Sequence, residues 1–407
     1  MLGTKSFGGL VVGLCLAEIL AMLGIASFAA LLPDLSQDWQ LSSTQAGWIG
    51  AAYFFGYTLA VPVLVSLTDR VDPARVFVFS VVLTAAANLA FALWADGFWT
   101  ATMARAVAGM GLAGTYMPGA AALAERVAPE RQSRVITFYT SCFMVGSAVS
   151  YPFTTWTASQ GGFQWAFGAA AGACILAAML SVVSFALVPR TPAPKADRGL
   201  FDLRPVFRNR DAMAYTLCYA FHGWELSAFQ NWIVAFLTFA IAVQSVDVTF
   251  WLPFSVAFWV TLAGMPAMVL GNELAIRWGR SRIVVVVMAL SALGASLIGL
   301  SVAVSYGLVV VACLVYGVVI MGESAVVTAG ALGNAVPGAR GATMAVHSTL
   351  GFLGAAIGPL AFGLILDRAG SDSLFGWWAA FAHLGVVMLL GPLVLVWLKP
   401  APLAGDR

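Results

Sequence analysis

Several residues suited to proton transfer or solute binding lie close together, inside a long apolar segment of the chain. Side chains three and four positions apart are neighbours on a helix, so this segment would place an acid, an imidazole and aromatic rings on one face. That face consists of Tyr219, His222, Glu225, Phe229 and Trp232. A carboxylate at mid-membrane depth costs about 3 kcal/mol on insertion scales, so an acid found there is a candidate functional group.

Three other charged residues lie deep inside apolar segments, namely Glu18, Arg105 and Glu323. The positions of Glu18 and Glu225 differ by 207, and other features of the chain recur at an offset near 207–208, among them Gly109 with Gly317 and Pro129 with Pro337. Burial disfavours the ionised carboxylate, so a glutamate that is alternately wet and dry can bind and release a proton. We therefore predict that Glu18, Glu225 and Glu323 are proton-coupling groups.

The residue types are compatible with either an anionic or a cationic solute. Arg105 could bind a carboxylate through two parallel hydrogen bonds, or it could be a structural clamp on carbonyls or a carboxylate of another helix. An acid beside aromatic faces would suit an organic cation instead. His222 could bind solute, carry a proton, or do both. The predicted substrate-binding residues are Arg105, His222, Tyr219, Phe229, Trp232, Tyr53, Tyr57 and Tyr116.

The composition predicts that membrane-spanning helices position these residues. Of the 407 residues, 61% are hydrophobic and 9% are charged, whereas soluble proteins carry about 25% charged residues. The apolar runs suit membrane helices of about 20 residues rather than strands of about 10. We predict an all-α integral membrane protein with twelve transmembrane helices in two pseudo-symmetric six-helix bundles. The predicted spans are 8–32, 45–67, 76–94, 99–123, 134–158, 163–188, 211–240, 249–271, 282–302, 306–333, 342–366 and 375–398.

The basic residues indicate the orientation of the spans. All Lys and Arg residues except Arg105 and Arg368 fall at the termini or in loops on the same predicted side. By the positive-inside rule, both termini are predicted to be cytoplasmic in an integral plasma membrane protein, namely a bacterial inner-membrane protein. The long basic loop 189–210 is a cytoplasmic linker, which separates an N-terminal six-helix bundle (1–188) from a C-terminal one (211–407).

No motif in the sequence indicates a metal, a cofactor or an enzyme. The five cysteines lie in apolar runs without a Cys-x-x-Cys spacing, so we predict that they are packing residues. No nucleotide-binding loop, HExxH or GxSxG pattern is present, so neither ATP coupling nor an enzyme activity is expected. The predicted partners are a small-molecule substrate, H⁺ and the lipid bilayer, with no nucleic acid and with the monomer as the functional unit.

Three local motifs resemble the major facilitator superfamily, and the resemblance covers nearly the whole chain. Asp69-Arg70 with Arg75 is similar to the family's loop signature, and the segment 271–282 resembles its second copy. The stretch from Arg105 to Gly114 resembles the signature of the fourth helix.

The resemblance implies a cavity lined by helices one, four, seven and ten, and all four embedded charges fall on that set. We expect Glu18 and Glu225 to lie on facing sides of this cavity. The resemblance also implies that the loops latch the cytoplasmic face. The predicted gating residues are Asp69, Arg70, Arg75, Arg277 and Arg280.

The sequence thus predicts a secondary active transporter that moves a small organic solute by alternating access, coupled to protons. One alternative is a proton-driven exporter of hydrophobic or cationic drugs, which the acids and the aromatic face favour. An alternative of another class is a membrane receptor or assembly scaffold that does not transport, which would have fully paired charges.

Overall fold

The chain folds as an all-helical protein, as predicted. The computed structural model describes residues 4–68, 70–191, 203–336 and 339–403, and no β-strand occurs within these ranges. A short 3₁₀ helix, Gly299–Ala303, follows α12. The α-helices are α1 (Thr4–Met22), α2 (Ser27–Ala30), α3 (Leu32–Asp38), α4 (Ser43–Leu67), α5 (Pro73–Trp94), α6 (Phe98–Leu112), α7 (Tyr116–Ala124), α8 (Pro129–Ala186), α9 (Arg204–Arg208), α10 (Arg210–Gln244), α11 (Pro253–Trp278), α12 (Arg280–Ile298), α13 (Tyr306–Gly333), α14 (Arg340–Ala369) and α15 (Leu374–Leu398).

Helices coincide with all twelve predicted spans. Nine helices of the described residues are long and apolar enough to cross a membrane, and α1 contains a shorter apolar helix, Phe7–Met22. One of the nine, α8, is 58 residues long and is interrupted by non-helical backbone at Gly161 and Gly162, so it accounts for the fifth and sixth spans. The fourth span consists of α6 and α7.

The first span is not one continuous helix, contrary to the prediction for 8–32. The α1 helix ends at Met22 and α2 begins at Ser27. In the gap, the Ser150 hydroxyl donates to the Leu23 carbonyl (2.7 Å) and accepts from the Ala26 N–H (3.0 Å). Lipid offers no hydrogen bonds, so a break at membrane depth requires such a substitute partner from the protein.

The chain divides into two compact units. Unit 1 comprises Met1–Leu31 and Ala52–Gly199, and unit 2 comprises Leu32–Ala51 and Leu200–Arg407. Unit 2 therefore includes α3 and the first nine residues of α4, which precede the predicted bundle boundary. The six-plus-six division at the linker stays a prediction.

The start of α4 is capped within unit 2. Ser42 and Gln45 form a capping box, in which each side chain accepts from the other residue's backbone N–H (3.2 and 3.0 Å). The Asp367 carboxylate at the end of α14 accepts from the N–H groups of Ser43 (2.8 Å) and Thr44 (2.7 Å). The first N–H groups of a helix lack intrahelical partners, so these contacts satisfy three of them.

Glycines allow close helix contacts in both units. In unit 1, a Cβ at Gly109 of α6 would lie 1.7 Å from the Tyr53 carbonyl oxygen of α4. In unit 2, a Cβ at Gly271 of α11 would lie 1.7 Å from the Gly322 carbonyl oxygen of α13. Small residues let membrane helices pack with their backbones in contact. Such a glycine contact joins the second and fourth predicted spans in each half of the chain.

The contact of α10 with α14 explains the glycine- and proline-rich composition of α14. Cβ atoms at Gly354 and Gly358 would lie 2.0 and 2.1 Å from backbone carbonyl oxygens of α10. Pro359 has no N–H, which leaves the Ala355 carbonyl without its helical donor. The Ser227 hydroxyl of α10 donates to that carbonyl instead (2.7 Å). This contact fixes α10, the helix that carries His222 and Glu225.

Candidate functional site

In unit 1, Glu18 on α1 has a fully buried side chain. Its Oε2 accepts a hydrogen bond from the Tyr139 hydroxyl of α8 (2.7 Å), and its Oε1 has no hydrogen-bond partner. The same Tyr139 hydroxyl lies 3.0 Å from the Thr115 carbonyl oxygen, at the break between α6 and α7. No Lys or Arg within the described ranges lies within salt-bridge distance of Glu18.

The Tyr139 hydroxyl has two acceptors but only one hydrogen. If Glu18 is ionised, that hydrogen goes to the carboxylate, and the Thr115 carbonyl keeps only its helical donor, the Gly119 N–H (2.9 Å). If Glu18 is protonated, the carboxyl group donates to Tyr139, and Tyr139 donates to Thr115. The protonated arrangement satisfies all three groups, so this geometry accommodates a proton on Glu18.

The buried cation of unit 1, Arg105 on α6, has few partners. Its side chain is 5% exposed, and its guanidinium lies over the Tyr53 ring, 4.2 Å from the centroid. One nitrogen, Nη2, is 3.4 Å from the Ile25 carbonyl oxygen, at the edge of the hydrogen-bond range. Within the described part of the chain, the other two nitrogens, Nε and Nη1, have no hydrogen-bond partner.

In unit 2, Glu225 is fully buried on α10. Both the Tyr316 hydroxyl of α13 and the Ser291 hydroxyl of α12 donate to its Oε1, each at 2.7 Å. Its Oε2 has no hydrogen-bond partner. Two hydroxyl donors on one oxygen offset only part of the cost of burying a carboxylate that has no cationic partner among the described residues.

One turn earlier on α10, His222 contacts the third buried acid. Its Nδ1 lies 3.2 Å from Oε1 of Glu323 on α13, and both side chains are almost fully buried. His222 Nε2 and Glu323 Oε2 have no hydrogen-bond partner. A single proton can therefore reside on either the imidazole or the carboxylate of this pair.

His347 on α14 extends this group, although it was not among the predicted site residues. Its ring stacks on Tyr219 with centroids 4.1 Å apart, and Tyr219 also stacks on His222 at 5.8 Å. Thr216 and Thr328 lie 3.4 and 3.3 Å from its two ring nitrogens. The structure thus places Tyr219, His222 and His347 in one row.

The remaining predicted aromatic residues differ in their surroundings. Phe229 packs edge-on against the Tyr316 ring, with centroids 4.9 Å apart. The Trp232 indole donates to the Pro359 carbonyl (3.0 Å) and lies in a buried aromatic cluster. Tyr57 is buried on α4, and Tyr116 is half-buried on α7. Tyr53 contacts the Arg105 guanidinium, and Tyr219 stacks on the His222 ring.

The predicted gating residues do not form one set of contacts. Arg70, Arg75 and Arg277 are exposed, and Asp69 lies outside the described residues. Arg280 is 5% exposed and donates to the Asn272 side chain (3.1 Å) and the Val326 carbonyl (3.2 Å). Arg280 therefore joins α12 to α11 and α13 within unit 2.

Two ion pairs occur near the first loop motif in residues that were not predicted as gating groups. Arg126 contacts Asp72 (2.9 Å), and Arg190 contacts Glu125 (2.6 Å). Burial opposes ionisation of Asp72, but the hydrogen bonds from Arg126 and from the Ala74 N–H lower its pKa below the ordinary value. Asp72 is also the N-cap of α5.

The sequence model of the Major Facilitator Superfamily matches residues 14–322 of this chain. The chain belongs to the Major Facilitator Superfamily. It is therefore an integral membrane transport protein, and the four embedded charges lie on the first, fourth, seventh and tenth predicted spans of this family's twelve-helix arrangement.

Sequence relatives are distant. The human protein spinster homolog 1 is 23% identical over 234 residues, which cover 55% of this chain and 44% of that protein. The bovine protein of the same name gives the same identity and coverage. The chain thus spans less than half the length of the curated relatives it matches.

Solved structures show the same fold along the whole chain. A bacterial homolog of the human lysosomal transporter Spinster, in an inward-facing and unoccupied conformation, superposes with a TM-score of 0.71 at 14% identity. That match covers 97% of this chain and 96% of the other. The nucleoside transporter NupG gives a TM-score of 0.75 at 14% identity, with 96% and 99% covered.

Sequence reasoning identified the buried charges but missed their partners. Tyr139 contacts Glu18, and Ser291 and Tyr316 contact Glu225, whereas His347 stacks on Tyr219. Hydroxyl and aromatic residues are common in membrane spans, so the sequence did not distinguish these partners. The structure describes Glu18 and Glu225 in different units, so their expected placement on facing sides of a cavity remains a prediction.

Proposed function

We propose that this chain is a proton-coupled secondary transporter of a small organic solute that works by alternating access. The observation that carries the proposal is the hydrogen-bond arrangement at Glu18. Glu18 is fully buried and has no cationic partner among the described residues. It contacts the Tyr139 hydroxyl, which can satisfy both Glu18 and the Thr115 carbonyl only when Glu18 holds a proton.

The two buried acids of unit 2 support the same function. Glu225 has hydroxyl donors and Glu323 has a histidine, and neither contacts a Lys or Arg side chain among the described residues. An unpaired carboxylate at mid-membrane costs about 3 kcal/mol even on a mild scale. Binding a proton removes that cost, so these sites favour proton uptake when they are closed to water.

The unequal distribution of basic residues supports an orientation with both termini in the cytoplasm, in a bacterial inner membrane. In that orientation the inwardly directed proton gradient drives the transporter, and Glu18, Glu225 and Glu323 are the groups that it protonates. Each unit has its own proposed solute-binding residues, namely Arg105 in unit 1 and His222 and Tyr219 in unit 2.

The test begins with a thermal-shift screen of organic anions, cations and neutral solutes on the purified protein at two pH values. The binding solute is then used in proteoliposomes for pH-gradient-driven uptake and for counterflow, which requires no net proton movement. We expect Glu18→Gln to abolish gradient-driven uptake and to retain counterflow. Tyr139→Phe removes the donor to Glu18 and should reduce gradient-driven uptake at least severalfold.

Glu130→Gln is the matched control, because Glu130 is exposed near the start of α8. It should behave as the wild type in both assays. The proposal is wrong if Glu18→Gln, Glu225→Gln and Glu323→Gln each retain wild-type gradient-driven uptake.

A further inference from the structure

We propose that the transported solute carries an anionic group, a carboxylate or a phosphate, that binds the guanidinium of Arg105. The inference rests on the proposed transport function and adds the class of solute. It starts from the lack of a counter-charge. In the described part of the chain no carboxylate oxygen lies within 4.0 Å of Arg105.

The hydrogen-bond capacity of Arg105 is almost unused. A guanidinium has five N–H donors and no acceptor. Here the contact with the Ile25 carbonyl is 3.4 Å long, and no described residue accepts a hydrogen bond from Nε or Nη1. A structural clamp would direct these donors at carbonyls or carboxylates of neighbouring helices. Leaving them unbonded in a buried position is unfavourable, because a buried charge needs both a partner and hydrogen bonds.

The guanidinium is nevertheless held in a defined position. It lies over the Tyr53 ring, and Gly109, one turn further along α6, contacts the Tyr53 carbonyl without space for a Cβ. The close approach of α6 to α4 therefore fixes Arg105 before a ligand binds. A planar, pre-positioned guanidinium suits a carboxylate or phosphate, which can accept two parallel N–H bonds.

The other buried charges favour an anion over a cation. Glu18, Glu225 and Glu323 each have at least one hydroxyl or imidazole partner from the protein. A protonated carboxyl group is neutral and does not require a cationic ligand. A guanidinium keeps its proton in proteins, and Arg105 has no ionic partner within the described ranges. The unmet requirement is therefore for negative charge.

The experiment compares ligands of one shape and different charge. Purified full-length protein is titrated with benzoate, phenyl phosphate, benzyl alcohol and benzylammonium, with binding measured by calorimetry and thermal shift. A panel of aliphatic mono- and dicarboxylates and organophosphates follows at the same pH. We expect at least one anion to bind, with at least tenfold weaker binding to Arg105→Gln and intermediate binding to Arg105→Lys. Arg134→Gln, which alters an exposed arginine of α8, should bind as the wild type does.

The melting temperature without ligand gives a second, independent readout. Removing an unpaired buried charge should leave Arg105→Gln as stable as the wild type or more stable. A structural clamp predicts a clear loss of stability, which would overturn the proposal. So would an anion panel that causes no shift, equal binding of the neutral or cationic probes, or unchanged anion binding by Arg105→Gln.

Failure of this inference is distinguishable from failure of the proposed function. Gradient-driven uptake of a neutral or cationic solute, independent of Arg105, would refute the anion site and leave proton coupling intact. Binding of an anion at Arg105 without any gradient-driven uptake would support the anion site and refute proton-coupled transport.

Discussion

The cap that α14 provides for α4 leads to a prediction about local opening. Replacing Asp367 by Ala removes the acceptors for the Ser43 and Thr44 N–H groups, which are bonded at 2.8 and 2.7 Å. The capping box between Ser42 and Gln45 remains, because it does not involve the carboxylate. We therefore expect fraying of the first turn of α4 rather than loss of the helix.

The size of the effect follows from the geometry. Loss of an N-terminal cap costs about 0.5–2 kcal/mol, and a negative charge at a helix N-terminus adds about 0.3–1 kcal/mol. Asp367 is exposed, so we take the lower part of the combined range, about 1–2 kcal/mol. That free energy corresponds to a roughly five- to thirtyfold increase in the population of the open first turn.

Hydrogen–deuterium exchange with mass spectrometry of peptides that cover residues 41–51 measures this population directly. We expect exchange at the start of α4 to accelerate roughly five- to thirtyfold in Asp367→Ala. Asp372→Ala is the control, because Asp372 is also exposed and follows the end of α14. Equal exchange in Asp367→Ala and the wild type would refute the reasoning.

Two further predictions concern stability. Asp72→Asn should lower the melting temperature at neutral pH, and the difference from the wild type should shrink below about pH 4. The reason is that the hydrogen bond from Arg126 lowers the pKa of Asp72 in the folded protein. The ionised Asp72 therefore contributes its full stabilisation above the pKa of the unfolded state, and this stabilisation is lost as the pH falls through the pKa of the folded state. A difference that is independent of pH would contradict this. Gly109→Ala should destabilise the protein by about 1–3 kcal/mol, because its Cβ would overlap the Tyr53 carbonyl. Gly168→Ala, with no atom within 4 Å of its Cβ, should be neutral or stabilising in the same melting assay, and equal melting of the two variants would refute the packing argument.

The spans and the buried charges could be predicted because the bilayer imposes simple requirements. Every backbone polar group in lipid needs an internal partner, so spanning segments are helices and appear as long apolar runs. Charged residues are rare in such runs, which made Glu18, Arg105, Glu225 and Glu323 visible without a structure.

The partners of these charges could not be predicted, because they depend on how the helices pack. Tyr139 lies 121 positions from Glu18, and nothing in its own segment distinguishes it from other buried tyrosines. The break in the first span was also hidden. The break depends on Ser150 of α8, whose hydroxyl bonds the Leu23 carbonyl and the Ala26 N–H in place of helical partners.

The division of α4 between the two compact units has a consequence for dissecting the molecule. A fragment that ended at the long linker would contain residues 32–51 but not the α10 and α14 surfaces on which they pack. The complementary fragment would lack the segment that covers these surfaces, and its Asp367 would have no helix terminus to cap. Co-expressed halves should therefore assemble when the N-terminal half donates residues 32–51 to the C-terminal half. Neither half should fold fully on its own.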